Sequence, residues 1–269
     1  MAITPSQRGS REILLFFLTL AIVAAFCLPM WWWTTRYATS EFDPSGRFTP
    51  DRIGKLLLGP EQIACYCFFT WASLILLRRR MEVRRQRQAF RLELLPTEEG
   101  ARILPEDARP LLRKIDTLTK GRGPLILANM IRLALGKYAI SKSAPDVGEV
   151  VRTQAEVEQG RLVSSMSTVQ YLMWAIPAIG FLGTVRGLAY SFTVPRHLSA
   201  DAFIRDASGY LNKAFDCTLI ALALSLIAMY FLHAVQRDEE TLVIDCQQYC
   251  QEHLLLRLYD PQPEPVGVE

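Results

Sequence analysis

Histidine is scarce in this sequence, and the chain lacks the residue clusters that most enzyme sites require. Its 269 residues include three histidines, His197, His233 and His253, which are scattered along the chain. No paired nucleophile and base, phosphate-binding loop or metal cluster can be recognised. We therefore expect that the protein is not an enzyme and that it holds no cofactor.

The six cysteines do not form a complete metal site. Cys246, Cys250 and His253 could share one helix face, but no second cluster completes a tetrahedral arrangement. Four more cysteines lie in or at the edge of apolar blocks: Cys27, Cys65, Cys67 and Cys217. The pattern favours structural roles for all six and predicts no bound metal.

Apolar residues make up 50% of the chain and are concentrated in four blocks. A helix needs about 20 apolar residues to cross the hydrocarbon core of a bilayer. The blocks predict membrane spans at about 13–33, 60–77, 172–194 and 211–232. No small-x-small cleavage site follows the first block, so a membrane span is favoured over a signal peptide. The sequence thus predicts an all-α integral membrane protein with four transmembrane helices.

Arginines crowd directly after the second apolar block, at Arg78, Arg79, Arg80, Arg84, Arg85, Arg87 and Arg91. Nucleic-acid binding is one interpretation of such a cluster. Basic residues that flank a span more commonly mark its cytoplasmic end. We therefore expect no nucleic-acid partner, an outer loop at 34–59, and both termini in the cytoplasm.

Two polar segments complete the predicted layout. Residues 78–170 predict a cytoplasmic helical region that prolines interrupt, with Val147–Tyr171 running as one helix into the membrane. Residues 233–269 predict a cytoplasmic helical extension to about Leu258, followed by a proline-rich, disordered tail. The fold class is therefore four transmembrane helices with long cytoplasmic helical extensions.

Small and hydroxylated side chains recur every three or four residues on one face of each of the last two spans. They are Gly180, Gly183, Thr184, Gly187 and Ser191 in the third span and Ala214, Thr218, Ala221, Ser225 and Ala228 in the fourth. Such faces serve close helix packing, or they face an ion pathway or a partner helix. Two helices cannot enclose a pore, so the second interpretation requires a homo-oligomer.

Two ionisable residues, Arg186 and Asp216, lie in the outer halves of these spans. A charge in hydrocarbon costs at least about 2.5–3.5 kcal/mol, so it usually pairs or reaches water. We predict an Arg186–Asp216 pair within or between subunits, with separate snorkelling of each side chain as the alternative. No acidic residue is predicted deep in a span, since Glu61 is placed at the outer interface.

Two segments resemble the signatures of a known family. Pro177 to Leu188 reads PAIGFLGTVRGL, which is similar to the Pro-x-x-Gly-x-x-Gly-Thr-Val-x-Gly signature of the MotA/TolQ/ExbB proton-channel family. Ala214 to Leu222 reads AFDCTLIAL and resembles its second signature, Ala-x-x-x-Thr-x-x-Gly-Leu. The resemblance covers roughly residues 147–258. The chain departs from the family at Ala221, usually glycine, and at Arg186, usually uncharged.

The resemblance implies a subunit of the bacterial inner membrane that forms a homo-oligomer, most simply a pentamer. It also implies an ExbD/TolR/MotB-like single-span partner, whose aspartate carries protons inside the pore. Thr184 and Thr218 match the threonines that line the pathway. In this interpretation proton flow drives a motor or energy-transducing complex that does mechanical work. The alternative is a non-conducting membrane scaffold or sensor with the same fold, which Arg186 favours because a fixed positive charge repels cations.

Overall fold

The computed structural model describes residues 5–37, 56–96, 102–193 and 199–259, with the side chains of 5–14 and Thr34 left out. Seven α-helices occupy these ranges, with no β-strand among them. They are α1 (Pro5–Tyr37), α2 (Pro60–Arg87), α3 (Ala108–Thr119), α4 (Ile126–Ser141), α5 (Ala144–Ser165), α6 (Ser167–Phe192) and α7 (Ala200–His253). Short 3-10 helices follow at Gln88–Leu92, Pro105–Asp107 and Leu255–Arg257.

Four stretches of helix among the described residues are long and apolar enough to cross a membrane. They lie within Leu15–Trp33, Pro60–Leu92, Ala144–Phe192 and Ala200–Arg257. The prediction of an all-α membrane protein with four transmembrane helices is therefore confirmed.

The chain divides into two units. The first, which we call the apolar unit, comprises Met1–Leu77 and Ser167–His233. Within it α1 packs on α2 through the edge-to-face rings of Phe16 and Trp71, 5.6 Å between centroids. In turn α2 packs on α6, where the Cys65 thiol donates to the Ile176 carbonyl at 3.7 Å.

The second, or polar, unit comprises Arg78–Met166 and Ala234–Glu269 and contains a separate hydrophobic core. Its centre is α4, which buries seven side chains because apolar residues cover most of its circumference. Gln86 fixes the start of α4: its amide oxygen accepts from the Ile126 N–H and its amide nitrogen donates to the Pro124 carbonyl, both at 2.9 Å. A buried polar side chain thus satisfies backbone groups that the helix leaves unpaired.

Within the polar unit the end of α2 and the end of α7 run in parallel, in a fixed register. Arg79 pairs with Glu239 at 3.0 Å, and Arg87 lies 3.8 Å from Asp245. The rings of Phe90 and Tyr249 stack edge to face further along. Arginines that the sequence assigned only to membrane topology therefore also form ion pairs between helices.

One predicted helix is divided in two, and another helix ends in a tightened turn. The helix predicted over Val147–Tyr171 is divided at Met166, whose N–H bonds back three residues to the Val163 carbonyl at 3.0 Å. This tightened turn ends α5, and α6 begins at Ser167. At the end of α2, the α-helix changes to a 3-10 helix that stops at Glu93, which has the left-handed φ of 43°.

Cys246 and Cys250 are buried in the polar core beside Leu254. Burial raises the pKa of the Cys250 thiol to about 12 and raises the pKa of Cys246 as well. Both thiols are therefore neutral packing groups. Among the described residues, no group of three His, Cys, Asp or Glu side chains is placed to hold a metal ion.

Several expectations fall on residues outside the described ranges. They are most of the outer loop 34–59, the end of the third span at Val194, and the tail 260–269.

Candidate functional site

The glycine face of α6 lies against the alanine face of α7 in the same chain. A methyl group added at Gly180 would meet the Ala221 side chain, and one at Gly187 would lie 2.6 Å from the Ala214 Cβ. Ala214, Ala221 and Gly187 are buried by this contact. These small residues let two helix backbones approach closely, as small-residue faces do in membranes.

Two threonine hydroxyls meet at the edge of this packed face. The Oγ1 atoms of Thr184 and Thr218 are hydrogen-bonded to each other. Both also lie within reach of one backbone oxygen: the Gly180 carbonyl is 3.2 Å from the Thr184 hydroxyl and 3.1 Å from the Thr218 hydroxyl, so one hydroxyl can donate to it while the other donates across the pair. Thr218 reaches across to α6 because Gly180 has no side chain in the way. The packing of glycine therefore creates the hydroxyl pair.

Three helices meet at Gly183. A methyl group there would lie 2.5 Å from the Cys217 Sγ of α7 and 3.2 Å from the Glu61 Cγ of α2. Gly183 lies midway along the predicted third span, so Glu61 is level with the middle of that span. The Glu61 side chain is only 9% exposed. Glu61 is therefore buried between helices, and its place relative to the membrane interface stays a prediction.

Glu61 forms an ion pair with Arg186 of α6. The Arg186 Nη2 lies 2.7 Å from the Glu61 Oε1 and 2.8 Å from Oε2. A single guanidinium nitrogen thus lies close to both carboxylate oxygens and donates a charge-assisted hydrogen bond to Oε2. The predicted contact of Arg186 with Asp216, within or between subunits, stays a prediction.

The other predicted residues of the site take less central places. Ser191 is buried, and its hydroxyl donates to the Leu188 carbonyl at 2.7 Å. Ser225 is half-buried and donates to the Leu222 carbonyl at 3.2 Å. Pro177 lies inside α6 and is half-buried. Their assignment to an ion pathway or partner-facing surface stays a prediction.

Sequence reasoning missed the pairing of Glu61 with Arg186, although one signal was present. Pro60 marks the start of α2, so Glu61 lies in the first turn, where the helix N-terminus favours an acid. An acid at this place in an apolar helix is a candidate partner for a cation on a neighbouring helix.

The arrangement offers oxygen atoms that can coordinate a cation or pass on a proton. Each threonine hydroxyl can both donate and accept a hydrogen bond, so the pair can form part of a proton-conducting chain. The Gly180 carbonyl adds an acceptor beside them. A pathway of this kind needs further groups from a neighbouring helix, because one α6–α7 pair cannot surround it.

Comparison with known proteins found one family that matches part of the chain. Residues 124–248 match the family model described as the MotA/TolQ/ExbB proton channel family. The matched region contains α4, α5 and α6 and most of α7, including both threonines. Neither the curated proteins nor the solved structures gave a match.

Proposed function

We propose that this chain, whose residues 124–248 match the model of the MotA/TolQ/ExbB proton channel family, is the channel-forming subunit of a proton-driven energy-transducing complex. The observation that carries the proposal is the hydroxyl pair of Thr184 and Thr218 at the α6–α7 contact. Both threonines stand at the positions of the family signatures. The complex would couple ion flow to mechanical work through a partner protein with one membrane span.

The proposal requires several copies of the chain and an acidic partner helix. Large apolar side chains are exposed on the other faces of α6 and α7, among them Phe181, Leu182 and Leu226. In a membrane these faces contact lipid or neighbouring copies, and a ring of copies would enclose a lumen. We propose five copies around two partner helices in a bacterial inner membrane. The polar unit and both termini would lie in the cytoplasm.

The alternative, a non-conducting scaffold or sensor, took its support from the fixed charge of Arg186. Glu61 supports conduction instead, because its carboxylate lies 2.7 Å from the guanidinium and balances that charge. The energy for work is available in this setting, since one charge that moves down about 100 mV releases about 2.3 kcal/mol.

The first experiment is the native mass of the detergent-purified complex, co-expressed with a single-span partner whose span contains an aspartate. We expect five copies of this chain with two of the partner. A monomer or dimer that does not bind the partner would contradict the proposal.

The second experiment measures proton flux in vesicles that contain the complex. We expect Thr218→Val to lower flux at least about tenfold, because it leaves the pathway without one hydroxyl. Thr218→Ser keeps the hydroxyl and should conduct. Thr241→Val is the matched control, since Thr241 lies on α7 in the polar unit and bonds only to its own helix at the Arg237 carbonyl in the contacts observed. Absence of flux in every partner-bound state would support the scaffold alternative.

A further inference from the structure

The Glu61–Arg186 pair combines two unequal positions. The Glu61 side chain is 9% exposed, whereas that of Arg186 is 47% exposed. Glu61 comes from α2, outside the helix pair that carries the threonines, and it touches that pair where Gly183 leaves room. The charge that balances Arg186 therefore comes from α2, which is not one of the two helices that carry the threonines.

The position of Arg186 on α6 explains why this balance concerns the ion pathway. Arg186 follows Thr184 by two residues, and two steps of about 100° place the side chains on opposite flanks of one helix. Glu61 holds the guanidinium on the flank away from the hydroxyl pair. Within a membrane, charges still act on one another across a helix diameter of about 10 Å, because little solvent screens them.

The two partners also differ in how each behaves alone. A guanidinium keeps its positive charge at any ordinary pH. Loss of Glu61 therefore leaves a permanent positive charge beside a cation route, whereas loss of Arg186 leaves no positive charge there to repel cations.

We propose that Glu61 is a positioning residue of the ion pathway: it neutralises Arg186 and holds its guanidinium away from Thr184 and Thr218, so that cations can pass. This inference rests on the proposed function. It assigns to α2 a direct part in conduction, beyond that of packing against the channel helices.

The test compares proton flux per assembled complex in vesicles for the wild type, Glu61→Gln, Arg186→Gln and the double variant, each with its single-span partner. We expect Glu61→Gln to lower flux about tenfold. Arg186→Gln and the double variant should stay within about twofold of wild type. Glu82→Gln is the matched control, because Glu82 lies on the same helix and its ion pair with Arg85 is exposed.

Each other result overturns the inference. Wild-type flux in Glu61→Gln would show that the charge balance does not matter. Equal losses in both single variants and in the double variant would show a purely structural pair. If Glu61→Gln fails to assemble, the flux of the double variant tests the inference, because that variant lacks both charges of the pair. We expect it to conduct, and loss of its flux would overturn the inference. Absence of flux in the wild-type complex would overturn the proposed function as well.

Discussion

At Gly187, α6 and α7 approach so closely that one added carbon would meet backbone as well as side chain. The position of an added Cβ lies 3.0 Å from the Tyr210 carbonyl oxygen and 3.2 Å from the Ala214 Cα. Backbone atoms cannot turn aside as the end of a flexible side chain can. The sequence showed that Gly187 belongs to a small-residue face, and the structure shows that α7 is what fills the space.

We predict that Gly187→Ala destabilises the chain by about 1–3 kcal/mol, because the two helices must separate to admit the methyl group. Gly209→Ala is the matched control on α7, where an added Cβ meets nothing within 4 Å of the chain. Alanine in place of an unobstructed helix glycine is expected to stabilise by about 0.5–1 kcal/mol. Thermal unfolding in detergent measures both. Equal midpoints for the two variants would argue against close packing at Gly187.

The hydroxyl pair also belongs to the residue scale. Each signature predicted its own threonine, because each motif places one threonine among small residues. The bond between Thr184 and Thr218, and the carbonyl of Gly180 that both hydroxyls reach, depend on the crossing of two helices. Residues 34 positions apart in the chain are brought together only by that crossing.

At the scale of helices, the ends of α2 and α7 show how neighbouring arginines can differ. Arg79 is 18% exposed and pairs with Glu239, which is 7% exposed. Arg79 also donates to the Ser165 carbonyl. Arg80 and Asp238 are 50% and 37% exposed, and their charged atoms lie 3.9 Å apart. The sequence presents the two arginines as equivalent, since both stand in one basic run.

We predict that Arg79→Gln destabilises the polar unit by about 3–5 kcal/mol at neutral pH, because it leaves the Glu239 carboxylate buried without its cation. Arg80→Gln, the control, should cost less than about 1 kcal/mol. Thermal unfolding of the two variants under the same conditions measures the difference. Similar losses of stability in both variants would show that burial does not make the Arg79–Glu239 pair contribute more to stability than the exposed one.

The same variant has an expected dependence on pH. Burial raises the pKa of Glu239 above its ordinary value, and the charge and hydrogen bonds of Arg79 oppose that rise. Without Arg79 the folded-state pKa rises further, so the folded protein takes up a proton more readily than the unfolded chain. The destabilisation is then greatest above the folded-state pKa and shrinks as the pH falls through it.

At the scale of the whole molecule, the C-terminal segment of the described chain closes the polar unit. The Ile103 N–H donates to the Arg257 carbonyl at 2.8 Å, and the Tyr259 N–H donates to the Ile103 carbonyl at 3.1 Å. The buried Tyr138 hydroxyl lies within hydrogen-bond distance of the Ile103 and Tyr259 carbonyls, at 3.0 and 2.8 Å. Three distant parts of the sequence are thereby joined.

We predict that a chain ending at Leu254 loses roughly 2–4 kcal/mol of stability, because several of these hydrogen bonds have no replacement. A chain ending at Asp260 keeps them and serves as the control. Amide hydrogen exchange at Ile103 measures the effect: its N–H should exchange faster in the shorter chain alone. Unchanged protection of Ile103 would show that the segment does not hold the unit closed.

The sequence by itself determined the all-α class and the four helices long enough to cross a membrane, and it indicated the family whose model residues 124–248 match. These follow from local features: the lengths of apolar blocks, the spacing of small residues, and two motifs that each occupy a few turns of one helix. Local features can be read directly from consecutive residues. They need no knowledge of which helices are neighbours.

Only the tertiary structure decided which groups meet. The pairing of the buried Glu61 with Arg186, the place of Arg79 beside Glu239 and the shared carbonyl of Gly180 all join residues far apart in the chain. Such contacts depend on the angle and register at which helices cross. The crossing angle and register are set by packing over whole helix faces, so they cannot be read from any single stretch of sequence.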